Sequence, residues 1–444
     1  MPQTTLEPRL QRRHQQLVKE AFQSAHSLAA GIKTLPATAS AFAQTQAAWR
    51  FLNNPHVPLT ALAAPLLEEA RTAAAHQCDE FALVMHDWSH LHYNAHTRKT
   101  DRVQLAHSHD HGYEMQTALL VSDRAGDPLT PLCQNLVTTQ GVVTTRSDQL
   151  LPRQPRLDEL DGRMEYLEGL GLGRPLVQII DREADSVGHY RQWTAAGRKW
   201  LVRAKGGQRV EHEGERTSLG AVAKQLRARG GLRFCREVEF HGRAARQYVG
   251  ETTVVLTRPT RRKRKAGAKV RYETVPGEPL TVRVVVSEVR DEGGKVLAEW
   301  LLLSNVEERV DAGQLALWYY WRWRIESFFK LLKGAGHHVE QWQQESGLAV
   351  ARRLLVVSLA CVLVWQLGRR EGSEAKEMRA MLVRVSGRQM KWGREWTSPA
   401  LLAGLWVLLG MLELLEHYDL EKLKRWREKF FHSFREESAR GSQP

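Results

Sequence analysis

The sequence is poor in cysteine: Cys78, Cys133, Cys235 and Cys361 are the only four, far apart and without a CxxC pair. That excludes a disulfide framework and a zinc ribbon, and it fits a reducing compartment. HExxH, the signature of a helical zinc hydrolase, does not occur. The opening residues, MPQTTLEPRLQRRHQQLVKE, hold no apolar core, which predicts no secretory signal. Long hydrophobic runs are missing too. The stretch 354–367 has 14 residues, and 400–415 has 16 with Glu413 inside. Both fall short of the ~20 residues a spanning helix needs, so both are expected to be buried helices. A cytoplasmic chain with no membrane partner is the expectation. No internal repeat is visible.

Hydrophobic residues make up 42% and charged residues 26% of the 444, which are ordinary globular values. At ~100–200 residues per domain, two to four domains are expected. Lys plus Arg number 64 against 50 Asp plus Glu, a net charge of +14, with a pI near 9.7. The excess runs along the whole chain and is densest at 258–271, which holds eight Lys or Arg. Such a balance points to a polyanionic partner, above all nucleic acid.

Three regions are expected. Residues 1–75 read as helical, with apolar residues at helical spacing in QLVKEAFQSAHSLAAGI, AFAQTQAAWRFLNNP and LTALAAPLLEEARTAA. From 76 to 372 the pattern is α/β: apolar strands at 81–85, 115–123 and 131–139, a helix at 156–171, then strands at 175–181 and 199–206. Residues 207–303 are strand-prone, with the basic run 258–271 as a flexible, phosphate-contacting hairpin loop. Helices follow at 311–335 and 346–370. Residues 373–444 are helical and carry Trp392, Trp396, Trp406 and Trp426.

In the helix predicted over 311–335, Tyr319, Arg322, Glu326, Lys330 and Lys333 are spaced 3, 4, 4 and 3. That places one carboxylate among three cations and a phenol on a single helix face. The rest of the helix is heavily apolar, so this stripe is expected to face a cleft. Two aspartates, Asp87 and Asp181, each follow a short apolar strand. Three carboxylates from two strands and one helix suit a pair of hard divalent cations that activates an attacking oxygen and stabilises a leaving one in phosphoryl transfer.

Asp181-Arg182-Glu183-Ala184-Asp185 after an apolar strand, and Tyr319-x-x-Arg322-x-x-x-Glu326 followed by Lys333, together resemble the bacterial DDE transposases of the insertion-sequence-four family. The likeness covers roughly residues 35–350. It implies an RNase H-like mixed-sheet catalytic core with a β-rich insertion, flanked by helical N- and C-terminal domains. It implies Asp87, Asp181 and Glu326 as catalytic metal ligands for two Mg²⁺ or Mn²⁺ ions, and Tyr319, Arg322, Lys330 and Lys333 as phosphate contacts. Trp300 falls on a tryptophan that stacks on a flipped base. Arg50, Asn53 and Asn54 fall in the segment that recognises DNA ends. The implied partners are double-stranded DNA, as terminal inverted repeats and target, and a second copy in a synaptic complex joined by 373–444. The implied setting is a bacterial cytoplasm, at the nucleoid during action.

Two features depart from the family pattern. Trp88-Ser89 follows Asp87, where relatives usually carry threonine. His86, His90, His92, His96, His107, His109 and His111 crowd into 26 positions. They keep open a zinc hydrolase built from imidazoles. An inactive relative that binds DNA as an inhibitor is the other alternative, although all three carboxylates are present.

Overall fold

The structure is a computed structural model and describes residues 5–23, 38–240, 242–266, 269–275, 277–391 and 393–440. The apolar runs at 81–85 and 175–181 form adjacent parallel strands, Ala82–His92 and Leu176–Ile180, paired from Ala82 with Leu176 to His86 with Ile180. Strand-favouring residues with both faces covered make such continuous apolar runs. On one side of Ala82–His92 lies the antiparallel strand His111–Ser122, then Pro128–Val137. On the other side Leu176–Ile180 is followed by the parallel strand Lys199–Arg203. Three antiparallel strands and then two parallel to the first give the order of an RNase H-like core.

Crossover helices Arg156–Glu168 and Val187–Ala195 join the third, fourth and fifth of these core strands. Their apolar faces cover the sheet through Leu160, Met164, Tyr190 and Trp193, which are fully buried. The sheet does not stop at the core. Val296–Ser304 pairs antiparallel with Lys199–Arg203, and the strands of the insertion continue beyond it, fourteen strands in one sheet among the described residues. Instead of a loop, the basic run 258–271 contributes to a two-stranded ribbon, Thr260–Ala266 paired with Lys269–Val275. The returning segment holds Val270, Tyr272 and Thr274, which favour extended backbone and give the cationic strand a partner.

The chain divides into two compact units. One comprises Ala63–His92 and Asp101–Phe329, and holds the sheet; the other comprises Met1–Leu62, Tyr93–Thr100 and Lys330–Pro444. In the second, helices Pro8–Gln23, Thr38–Asn53, Gly347–Arg369, Ser373–Val385 and Ser398–His417 pack together. Residues 24–32 of the first helical reading lie outside the described residues, as does Trp392. Gly347–Arg369 lies within the helix expected at 346–370, and Ser398–His417 adds two residues at each end of the apolar run 400–415. Gly347–Arg369 has 23 residues and Ser398–His417 has 20, and both are long and apolar enough to cross a membrane. Gly347–Arg369 is largely buried within its unit, while Ser398–His417 buries mainly its first turns through Ala400, Leu401, Leu402 and Gly404.

Candidate active site

Asp87 lies inside a strand rather than at its end, because Ala82–His92 runs on against His111–Ser122 with Asp87 opposite Thr117. Asp181 follows the fourth core strand and caps the short 3-10 turn Arg182–Ala184, its Oδ1 accepting the Arg182 N–H at 2.7 Å. Parallel neighbours with matched registers therefore bring the two aspartates to the same end of the sheet.

The helix predicted over 311–335 is two helices. Asp311 caps Ala312–Trp321 by accepting the Gln314 N–H at 2.9 Å, and Trp323–Leu332 follows after a break at Arg322. At the break the Arg322 N–H bonds to the Tyr319 carbonyl, and the Ile325 N–H to the Arg322 carbonyl, both over three residues. Such tightened turns mark a helix under local constraint. The constraint here is visible. Trp321 packs on the turn between the second and third core strands, where Gly126 has φ +68° and a Cβ would overlap the indole. Arg324 Nε donates to the Gly126 carbonyl at 2.8 Å.

The break sends the Arg322 guanidinium among the three carboxylates. Nη1 donates to Asp87 Oδ2 at 2.8 Å, Nη2 to Glu326 Oε1 at 2.9 Å, and Nη2 stands 3.8 Å from Asp181 Oδ2. Tyr319 Oη donates to Asp181 Oδ1 at 2.9 Å. Sequence reasoning missed Arg203, which ends the fifth core strand and approaches Asp181 to 3.8 Å. Its only signal was its place after an apolar strand. Glu183 and Asp185 of the DREAD segment hold the scaffold: Glu183 accepts from Arg156 at 2.6 Å, and Asp185 accepts from Tyr190 Oη and the Lys205 N–H.

Charge and burial pull against each other here. Burial pushes the Asp87 carboxyl above the usual carboxylate range, against Arg322 and the Trp88 N–H. Burial acts the same way on Asp181, but Arg322, the Arg182 N–H, Tyr319 and Arg203 outweigh it and hold that carboxyl low. Burial and the Asp181 charge push the Tyr319 phenol up. For Arg322, burial is outweighed by Tyr319 and the three carboxylates, so the guanidinium stays charged.

Three carboxylates around one cation are hard-oxygen donors of the kind Mg²⁺ and Mn²⁺ take, so the donor set fits such ions. Among the described residues, however, no three His, Cys, Asp or Glu side chains stand together as a ready metal cage. The guanidinium occupies the centre that a metal would share.

The remaining expected site residues are placed as follows. Trp300 lies on Val296–Ser304 and is buried, its ring 6.4 Å from those of Tyr319 and Phe240. Lys330 and Lys333 belong to the other unit, where Lys333 pairs with Glu340 at 3.5 Å. Arg50, Asn53 and Asn54 lie at the end of Thr38–Asn53 in that unit, with Arg50 exposed. The buried Arg352 fixes this end by donating to the Leu52 and Val57 carbonyls, each at 2.8 Å.

Among the described residues, no three of the clustered histidines stand together as a metal site. Fully buried His86 bonds Gln178 at 2.7 Å, and burial lowers its pKa to about 3. His107 stacks on His109, while His96 belongs to the other unit and packs edge-on against Tyr93.

No curated protein matches the chain. Among solved structures, it is similar to a cryo-EM structure of the piggyBac transposase synaptic complex with hairpin DNA, at 10% identity and a TM-score of 0.33. The alignment covers 79% of this chain and 56% of that one, so the chain spans little more than half that protein's length. Residues 146–363, which include Asp181 and Glu326 but not Asp87, match the family model described as the transposase DDE domain.

Proposed function

We propose that the chain is a cut-and-paste DNA transposase of the insertion-sequence-four type. The observation that carries this reading is the meeting of Asp87, Asp181 and Glu326 around Arg322, with Tyr319 bonded to Asp181, at one end of an RNase H-like sheet. Asp87, Asp181 and Glu326 would hold two Mg²⁺ or Mn²⁺ ions, which supply charge stabilisation and an activated oxygen nucleophile. Tyr319 and Arg322 hold the scissile phosphate, with Lys330 and Lys333 on flanking ones. Arg50, Asn53 and Asn54 read the element's terminal repeat.

Water first nicks the transposon end and leaves a 3′-hydroxyl. That hydroxyl attacks the opposite strand to form a hairpin, which a second water reopens. The same hydroxyl then joins target DNA. Incubating the chain with Mg²⁺ and DNA carrying the inverted repeats that flank its gene tests the reading directly. Nicked, hairpin and joined products are expected, and intact DNA would refute it.

Trp300 separates two of these steps. Stacking on a flipped base contributes ~1–3 kcal/mol, so Trp300→Ala should slow hairpin formation by about tenfold or more and leave first-strand nicking near normal. Because Trp300 is buried against Phe240 and Tyr319, the same change should also cost ~3–5 kcal/mol of stability. The comparison is therefore made well below the melting temperature. Equal slowing of both steps would leave Trp300 a packing residue.

Two DNA ends need two active sites, and the reading supplies the second from another copy. Met411 is 52% and Leu415 44% exposed on the outer part of Ser398–His417, and Trp426 is 48% exposed. An exposed apolar patch of this kind marks a partner surface. Deleting 373–444 would remove Leu401 and Leu402 from the unit's own core, so point changes make the cleaner test. Met411→Glu with Leu415→Glu should abolish paired-end complexes in a gel shift while single-end binding persists. Unchanged pairing would move the interface elsewhere.

A further inference from the structure

The groups that the proposed function assigns to metal and those it assigns to phosphate are engaged with one another. Arg322 is 5% exposed, bonds Asp87 and Glu326, and lies within ion-pair distance of Asp181. Its Nε is buried without a hydrogen-bond partner, which leaves one donor of the fork unused. Tyr319 Oη donates a hydrogen bond to Asp181. A guanidinium bound this way and a divalent cation compete for the same carboxylates, and two cations at one centre repel.

We propose that Arg322 is a displaceable place-holder for the metal. It balances the carboxylates until metal ions take them, and its release, with that of Tyr319, is what frees both for the scissile phosphate. The inference rests on the proposed function, and it adds an order of events to it. Metal and the DNA end then each favour the conformation the other needs, so each tightens the binding of the other. The break in the helix at Arg322 suits the motion, because residues there are already outside regular helical bonding. A purely structural ion pair would have no such coupling.

Mn²⁺ binding to the full chain without DNA, followed by the electron-spin-resonance signal of free Mn²⁺, provides the test. Arg322→Met keeps an unbranched apolar stem and removes the charged head, and it should bind Mn²⁺ about tenfold more tightly, within the ordinary range for coupled sites. Affinity equal to or weaker than the native chain would overturn the proposal. Glu326→Gln is the control for the underlying reading: if it bound Mn²⁺ like the native chain, the triad would not be the metal site at all.

A second measurement needs no variant. Phenylglyoxal labelling of Arg322 in the native chain, read by peptide mass spectrometry, should rise several-fold when Ca²⁺ or Mn²⁺ is added. Unchanged or reduced labelling would show that the guanidinium keeps its place, and the proposal would fail.

Discussion

Asp87→Asn, Asp181→Asn and Glu326→Gln are each expected to lower end cleavage by at least ~10³-fold, about 4 kcal/mol of barrier, and to leave DNA-end binding within a few-fold of native. Phosphate contacts made by cations dominate affinity for DNA, whereas the proposed function puts the carboxylates at the reacting centre. The amides are preferred to alanine for a reason visible in the site. Each carboxylate faces a guanidinium whose side chain is only 6% exposed. Removing one partner of a buried ion pair outright can cost ~3–5 kcal/mol, which would confuse lost chemistry with lost fold. The amides keep shape and one acceptor oxygen. Cleavage assays at saturating Mg²⁺, with gel-shift binding and melting temperatures measured in parallel, separate the two. Near-native cleavage by any one of the three would remove that residue from the triad.

Gly126→Ala is expected to destabilise the sheet-bearing unit by roughly 2–4 kcal/mol, combining a left-handed backbone forced on a residue with a Cβ and an overpacked contact. The turn at Gly126 is closed by its N–H bonding the Ser122 carbonyl at 3.1 Å. A Cβ would meet the Trp321 ring, and the same residue's carbonyl receives Arg324 Nε. Trp321 and Arg324 bracket Arg322. The substitution should therefore also reduce cleavage at temperatures where the variant is still folded, because the turn sets where the guanidinium and Glu326 point. Denaturant melts and cleavage rates on one preparation would check both parts. An unchanged denaturation midpoint would mean that the turn yields at little cost.

Much of this arrangement was legible in the residues. Phe81–Met85 and Leu176–Ile180 are short, mostly apolar runs that stop at His86 and Asp181, so both could be read as strands directly. What escaped depended on partners distant in sequence. The strand through Asp87 continues over His90 and His92 because His111–Ser122 pairs with it, and no local propensity announces that. The Tyr319-to-Glu326 spacing suggested one helical stripe, but packing of Trp321 against the Gly126 turn accompanies a break at Arg322. Tyr319, Arg322 and Glu326 nevertheless stand together beside Asp87 and Asp181. It could not show that Arg322 would bond the carboxylates, since that contact joins residues 235 positions apart. The basic run looked like a loop because its charge dominated the reading. Its strand character lies in the returning segment, at Val270, Tyr272 and Thr274.

The continuity of the fourteen-stranded sheet has a consequence for how such a chain could have been assembled. Val296–Ser304 covers the outer edge of Lys199–Arg203, the strand that carries Arg203 to Asp181. Without the inserted strands, that edge would present a row of open backbone donors and acceptors, an invitation to pair with other chains and aggregate. The insertion thus works as edge protection for the RNase H-like sheet as well as bearing Trp300. It is not a cassette that could be added or lost by itself. Any ancestor lacking it would have needed another way to cover the Lys199–Arg203 edge, such as a helix, a shorter strand or a proline at the rim.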